Sequence, residues 1–439
     1  MTSNYKNQEQ ILKKLGIEEL NPMQIESQQK IFSHENTILL SPTGTGKTLA
    51  FLLPTISMLN HDINEIQALI IVPARELALQ IEQVVREMGS GFKTNAVYGG
   101  RAGIKDRNDL KHPPAILIGT PGRIADHIRR ENISTDFIKI LILDEFDKSL
   151  EVGFEKEMKE IYRSMPDELK KKVLTSATLN IEIPEFLNIN NAEKINYLNT
   201  KKNQLTIKVV ESSNKDKLEA LERILLHKNK SSGIVFCNYK DTINFVSSYL
   251  NKKKINHGTF YGGLEQFERE RALVQFRNGT HRILVSTDLA ARGIDVPEMD
   301  FIIHYQLPFK KEEFTHRNGR TARMHNTGIA YVLKFQEEEL PVFVDDAGIE
   351  TIETENKPIP SEWRTIFISA GRKDKISKGD IAGHFFKKGE LEKSELGLIE
   401  VKQDCAFVAV KKSKAFKLVK QLDNTRIKKR KVRISVVEG

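Results

Sequence analysis

Cysteine, tryptophan and long apolar runs are scarce in this 439-residue chain, which holds two Cys, one Trp and 7% aromatic residues. Cys237 and Cys405 lie far apart in the apolar segments IVFCN and DCAFVAV, so buried thiols are a better reading than a disulfide, a metal site or redox chemistry. No apolar run approaches the roughly 18 residues that a membrane span requires. The opening MTSNYKNQEQ lacks the charged-then-apolar pattern of a secretory signal. No membrane association is expected, and the cytoplasm is the expected compartment. What the chain does have is length and charge. With 39% apolar residues it can bury two or three cores, since single domains usually run about 100 to 200 residues.

The charge is unevenly placed. Residues 362–439 hold 20 Lys and Arg against 10 Asp and Glu, a net charge of +10, so of the chain's total of +9 the first 361 residues carry −1. A neutral body with a basic end suggests a nucleic-acid anchor. The densest run, RIKKRKVR from Arg426 to Arg433, reads on its own equally well as a solvated surface.

From about residue 36 to 200 one theme repeats: a β-branched apolar run, a loop with Gly, Pro or Thr, then a helical pattern. The runs are TILLS, ALIIVP, AILIGTP, ILILDEFD and KVLTSATL. Such alternation predicts a parallel α/β sheet buried on both faces, with functional loops at the strands' C-terminal ends. The theme restarts with TIKVVES, SGIVFCN, RILVSTD, FIIHYQLP and IAYVLKF, giving a second α/β domain. The expected domains are 1–200 and 201–345, a connector over 346–361 and a small domain over 362–439. Within the last, the order βαββαβ fits the split βαβ plan shared by RNA-recognition modules.

The segment SPTGTGKT, Ser41 to Thr48, follows a strand and precedes an apolar helical run, as a phosphate-binding loop must. Gly44 and Gly46 let backbone N–H groups turn toward phosphate oxygens, Lys47 reaches the terminal phosphates and Thr48 can ligate Mg²⁺. Ser41 stands where the strict pattern has Gly. In ILILDEFD, Asp144 and Glu145 end an apolar strand, where ionised carboxylates are costly without a cation or water. Together with Lys47 and Thr48 the pair suits a nucleotide-bound Mg²⁺ held by Asp144 and an attacking water oriented by Glu145; alone it is equally a helix N-cap. The segment HRNGRTAR predicts Arg317, Arg320 and Arg323 on one face of one helix, either as a salt-bridged surface or as arginine fingers.

With those segments in place, residues 11 to 335 resemble the DEAD-box RNA helicases. The matching signatures, in order, are GIEELNPMQ ending in Gln24, SPTGTGKT, PARELALQ, Gly99 and Gly100, TPGR, DEFD, SAT, VFCN, QFER, STDLAARGID and HRNGRTAR. The resemblance implies two tandem RecA-like parallel-sheet domains that use ATP and Mg²⁺ and bind RNA; the chain is expected to be a monomer. By matching position, nucleotide contacts fall to Gln24, Thr43, Gly44, Thr45, Gly46, Lys47, Thr48, Gly293 and Asp295, with Gln24 reading adenine and Asp295 the ribose. Arg320 and Arg323 would stabilise the transition state, and Asp147, Ser176 and Thr178 would couple nucleotide to RNA. Arg75, Gly100, Thr120, Arg123 and Thr287 would follow the RNA backbone; glycine amides, small hydroxyls and arginines hold phosphates without reading bases. Three positions depart from the family pattern: Phe146 replaces a small residue, Ile17 stands where an aromatic commonly stacks on adenine, and Asn318 replaces an apolar residue. Tyr5 is the nearest candidate for the upstream aromatic.

The tail resembles the RNA-binding module of the DbpA subgroup, through KISKGDIAGHFF, ELGLIEVKQDCAFVAVKK, SKAFKLVKQLDN and RIKKRKVRISVVE. That resemblance implies an RRM-like α+β domain targeting a hairpin of large-subunit ribosomal RNA during ribosome assembly. Phe367 and Phe407 sit where stacking aromatics belong, and the basic edge of Lys411, Lys412, Lys428, Lys429 and Arg430 is the competing surface. Two further function classes stay open at this point. One is an ATP-regulated RNA chaperone or clamp whose ATPase is weak because of Phe146 and Ile17. The other is a DNA translocase, against which TPGR, GG and SAT argue.

Overall fold

The computed structural model describes residues 7–42, 44–100, 103–151, 153–178, 183–198, 205–288, 299–321, 327–344 and 347–437. They fall into two compact units that divide near residue 203; the second unit contains both the second α/β sheet and the tail. Tyr5, Thr43, Gly293, Asp295 and Arg323 lie outside the described residues.

The first unit is built on seven parallel strands: β1 Asn36–Leu40, β2 Ala68–Ile71, β3 Thr94–Val97, β4 Ile116–Gly119, β5 Ile140–Leu143, β6 Lys171–Ser176 and β7 Glu193–Asn196. Their order is β3-β4-β2-β5-β6-β1-β7. The central strands ALII, ILIG and ILIL are buried along their whole length. That is why they read as continuous apolar runs: helices cover both faces of a parallel sheet. One face packs on Phe51, Leu52, Ile81 and Val85, the other on Ile124, Phe146, Met158 and Ile161.

The second unit repeats the plan with β8 Leu205–Ser212, β9 Gly233–Phe236, β10 His257–Phe260, β11 Ile283–Ser286, β12 Phe301–His304, β13 Gly328–Phe335 and β14 Gly348–Ile349. Their order is β10-β11-β9-β12-β13-β8-β14, parallel throughout. The tail is a four-stranded antiparallel sheet in the order β16-β17-β15-β20, from β15 Trp363–Ile368, β16 Leu396–Val401, β17 Ala406–Lys411 and β20 Ile434–Val436. Helices Lys378–Lys387 and Lys412–Leu422 cover one face, and a two-stranded hairpin, β18 Arg426–Ile427 with β19 Arg430–Lys431, precedes the last strand. The expected βαββαβ order is present, with that hairpin added.

The connector is pinned along its length. Glu350 pairs with Lys208 at 2.8 Å, Ile352 is buried in the second core, and Asn229 both donates to Lys357 O at 2.5 Å and accepts from Ile359 N at 3.0 Å.

Candidate active site and nucleic-acid interface

The loop after β1 turns on two glycines in the left-handed region, Gly44 at φ +81° and Gly46 at φ +89°, where a side chain is strained. A Cβ on Gly46 would also stand 2.5 Å from Gln24 Nε2. That close approach is held by hydrogen bonds. Gln24 Nε2 donates to Gly46 O at 3.3 Å, and Asn21 Nδ2 donates to Thr45 O at 3.0 Å. Asn21 also caps the helix Pro22–Ser33, exchanging bonds of 2.9 and 3.0 Å with Gln24, so cap and loop are one assembly. Asn21 was not singled out from the sequence, although an Asn–Pro–x–Gln cap is a legible signal. Ser41, at the unconventional first position, is buried and its hydroxyl meets Thr45 Oγ1 at 2.7 Å, which tightens the loop. Lys47 is buried and donates to the carbonyls of Ser41 and Pro42, while Thr48 opens the helix Lys47–Met58. The loop's anion-binding groups are thus prearranged at a helix N-terminus.

Asp144 follows β5 and is almost fully buried; Glu145 follows it with φ +48°. Burial first, and the Glu145 carboxylate second, push Asp144 up to about 6, against the pull of Thr175 and Lys47. Thr175 Oγ1 donates to Asp144 Oδ1 and accepts from Glu145 N at 3.2 Å. A buried carboxylate with a second one beside it and a threonine hydroxyl one strand over suits a hard cation that keeps most of its waters. Among the described residues no cage of three or more His, Cys, Asp or Glu competes with that reading. Asp147 accepts from Thr178 Oγ1 at 3.2 Å, and Thr178 N donates to Ser176 Oγ at 2.9 Å, so these three residues lie in one hydrogen-bonded chain between β5 and β6.

Two of the three departures from the family pattern lie in the first unit. Phe146 is fully buried in the apolar layer beneath the sheet, among Leu143, Ile161 and Leu174. Ile17 packs half-buried against the opposite layer.

The positions matched to RNA contacts are also prearranged. A Cβ on Gly100, φ +82°, would stand 3.1 Å from Arg75 Nη1. Thr120 begins the helix Pro121–Arg129. Arg123 is held by Asp106 at 2.8 Å and Asp126 at 3.1 Å, and His127 contacts Asp106 at 3.3 Å. These acids fix the guanidinium, and nothing in the sequence pattern marks them. In the second unit Thr287 N donates to Phe260 O at 3.3 Å, at the end of β11.

The arginine segment differs from expectation. Its helix is Lys311–Asn318, stopped at Gly319, so Arg317 and Arg320 do not share a helix face. Thr321 bridges to Met299 and its hydroxyl donates to Met299 O at 2.5 Å, which draws the chain out of the helix. Arg317 is fully buried as a clamp. It is gripped by both Asp288 oxygens, donates to Asn238 Oδ1 at 2.8 Å and to Gln306 O at 2.5 Å, and lies 5.1 Å from the Phe236 ring. Arg320 is buried beside it. Asn318, the third departure, accounts for itself: its Oδ1 meets His304 Nε2 at 3.0 Å, and His304 is stacked 4.6 Å from Phe314. Burial, then the Arg317 charge, lowers His304 to about 3, so the ring is neutral.

In the tail, Phe367 and Phe407 pair across β15 and β17 with ring centroids 5.7 Å apart. Their face of the sheet is partly covered. Phe407 and Val437 pack on Val274 of the helix Gln266–Arg277, Thr365 Oγ1 meets Thr280 Oγ1 at 2.8 Å, and Arg277 pairs with Glu400 at 2.6 Å. Of the basic edge, Lys411 is half-buried and Lys412, Lys428, Lys429 and Arg430 are exposed. Lys411 pairs with Glu362 and lies 4.7 Å from the Trp363 ring. Lys428 pairs with Asp380 at 2.7 Å, Arg430 with Asp374 at 3.3 Å, and Lys412 and Lys429 lie open.

Two parallel-sheet domains, the first carrying a phosphate loop with an acidic pair, followed by an antiparallel RNA-recognition-like sheet, define a DEAD-box RNA helicase with an RNA-binding tail. Residues 21–186 match the DEAD/DEAH box helicase model, 216–325 the helicase conserved C-terminal domain and 365–436 the DbpA RNA binding domain. The ATP-dependent RNA helicase DbpA of Escherichia coli (strain K12) is 30% identical over 97% of this chain and 96% of its own; that of Bacillus subtilis (strain 168) is 29% identical over 98% of each. Dbp5 of S. cerevisiae bound to RNA and ADP BeF3 superposes with a TM-score of 0.67 at 26% identity, covering 75% of this chain and 88% of its own. Mss116p bound to ssRNA and AMP-PNP does so with 0.69 at 26% identity, covering 79% and 77%. The chain belongs to the DbpA family of ATP-dependent RNA helicases.

Proposed function

We propose that this helicase, working as a monomer in the cytoplasm with Mg²⁺-ATP, locally opens structured large-subunit ribosomal RNA during ribosome assembly. The observation that carries this reading is the tail's attachment: a basic RNA-binding domain bolted to the second helicase domain by Arg277–Glu400 is built to present one RNA in a set place. The shared domain order with DbpA proteins, over nearly the full chain, supports the RNA helicase reading, and the ribosomal target rests on the resemblance of the tail's sequence to the DbpA module.

In this reading Lys47 leaves its own loop carbonyls for the terminal phosphates. Gln24 reads adenine, Thr43, Gly44, Thr45 and Gly46 cradle phosphates, Asp295 meets the ribose and Gly293 belongs to the same nucleotide site. Thr48 and Asp144 would hold Mg²⁺, partly through water, and the ion would neutralise phosphate charge. Glu145 orients the attacking water and takes its proton as the oxygen bonds to the γ-phosphorus and ADP departs. Arg320 and Arg323 stabilise the charge that develops. The Asp147–Thr178–Ser176 chain passes the change to RNA held along Arg75, Gly100, Thr120, Arg123 and Thr287, while Lys411, Lys412, Lys428, Lys429 and Arg430 hold the target hairpin. The burial of Phe146 in the core removes one ground for expecting a weak ATPase.

The test is steady-state ATPase with Mg²⁺ at one salt concentration, comparing no nucleic acid, single-stranded RNA, single-stranded DNA and a large-subunit ribosomal RNA fragment. Selective stimulation by the ribosomal fragment is expected. Equal stimulation by DNA would contradict the assignment to RNA, and equal stimulation by all RNAs would remove the ribosomal target.

A further inference from the structure

The helix Gln266–Arg277 closes on the tail's sheet through its last turns, where Val274 meets Phe407 and Val437 and Arg277 meets Glu400. Its first turns line one wall of a cleft of about 410 Å³ whose other wall is the sheet. Phe267, Glu270 and Arg271 face Phe367, Cys405, Phe407 and Ser435 across it. Phe367, Phe407 and Ser435 stand in one cross-strand row, and the two rings meet edge to face at 63°, so the sheet side offers the partly exposed Phe367 ring, backed by Phe407, with a hydroxyl beside it. Phe267 is 66% exposed although it belongs to a helix that otherwise docks, which leaves most of an aromatic ring open at the cleft.

Resting on the reading of the tail as an RNA-binding domain, we propose that this cleft takes one unpaired nucleobase of the bound RNA, between Phe267 and Arg271 of the helicase domain and the Phe367–Phe407 pair of the tail. The volume lies in the range of small-molecule sites and exceeds what a base alone fills, leaving room for its ribose. Aromatic rings and a planar guanidinium are the groups on which unstacked bases sit, and Glu270 and Ser435 place hydrogen-bonding groups at the rim. The tail's net charge of +10 favours a polyanion over an apolar peptide as the occupant. The site is composite: neither domain holds both walls. A nucleotide in it therefore registers the RNA against the helicase domain, which binding to the basic edge alone does not do.

The chain carries its own reporter. Cys405 lines the cleft, whereas Cys237, the other thiol, is fully buried. In the full chain, the alkylation rate of Cys405 by N-ethylmaleimide at alkaline pH is measured with and without a saturating large-subunit ribosomal RNA fragment. The affinity for that fragment is measured for wild type, Phe267→Ala and the pair Lys428→Glu with Arg430→Glu. The RNA is expected to slow alkylation at least about tenfold and Phe267→Ala to weaken binding about tenfold, the effect of losing one stacking partner. Phe267 is largely exposed, so its replacement leaves the fold intact. Alkylation that is unchanged or faster with RNA overturns the proposal, and so does an affinity unmoved by Phe267→Ala. If the charge-reversed pair weakens binding while Cys405 stays reactive, the RNA-binding tail stands and only the cleft falls; if neither variant affects binding, both readings fall together.

Discussion

Arg277, at the end of a helicase-domain helix, grips Glu400 of the tail with two prongs, Nε to Oε1 at 2.6 Å and Nη2 to Oε2 at 2.9 Å. Burial works against the Glu400 carboxylate, and Arg277 and Lys402 outweigh it to hold the group below the usual carboxylate range. Removing one partner leaves the other charge half-buried, a larger loss than that of a surface pair. Glu400→Ala is therefore expected to loosen the tail and to speed amide exchange in Gln266–Arg277 and in β16 at least about tenfold, as local docking is lost. Hydrogen exchange read by mass spectrometry checks this, and protection equal to wild type would show that the apolar contacts suffice.

The His304–Asn318 pair predicts an effect of substitution. Asn318→Val, the kind of residue the family pattern favours, strands a buried imidazole nitrogen and is expected to cost about 1–3 kcal/mol. Urea unfolding at neutral pH measures it. A loss within a few tenths of a kcal/mol would mean that His304 finds another partner.

The same histidine predicts an effect of pH. His304 and His281 are held at about 3 and about 4, burial being the main cause in each, against 6.5 in the unfolded chain. The unfolded state therefore binds protons first. Their contribution to stability is complete above pH 6.5 and is lost as pH falls from there toward 4. Denaturation midpoints at pH 7.5 and 5 should show this fall, and a His304→Asn variant should show less of it.

Phe146 predicts a split between stability and nucleotide affinity. Because its ring fills the apolar layer under the first sheet, Phe146→Ala should cost about 3–5 kcal/mol in stability and leave the KM for ATP near wild type under conditions where the variant is folded. A large rise in KM at unchanged stability would put the ring in the nucleotide site instead.

Much of this was legible in the sequence, for a physical reason. The central strands are buried on both faces and so appear as unbroken apolar runs, and the phosphate loop needs glycines that no other residue replaces. The edge strands TNAV, EKIN and HGTF carry no apolar run because each has a neighbour on one side only and mixes polar with apolar residues, and the edge strand GI is only two residues long. The spacing of three in HRNGRTAR continues past Gly319 and suggests a longer helix, but the Thr321 hydroxyl bonds Met299 O and the helix ends at Asn318. Partners such as Asp106 for Arg123, Asp288 for Arg317 and Glu400 for Arg277 lie 17, 29 and 123 residues away and carry no local signal.

The most direct test of the account is ATP-driven strand separation of one short RNA duplex, attached or not attached to the large-subunit ribosomal RNA hairpin, by wild type and Lys47→Ala. A tether of this kind should raise the rate on the attached duplex about a hundredfold at low protein concentration, by effective concentration alone. With wild type, ATP and Mg²⁺, fast separation of the attached duplex and slow separation of the free one are predicted, and Lys47→Ala should separate neither. Equal rates on both duplexes, or separation by Lys47→Ala, would contradict a tethered, ATP-driven helicase.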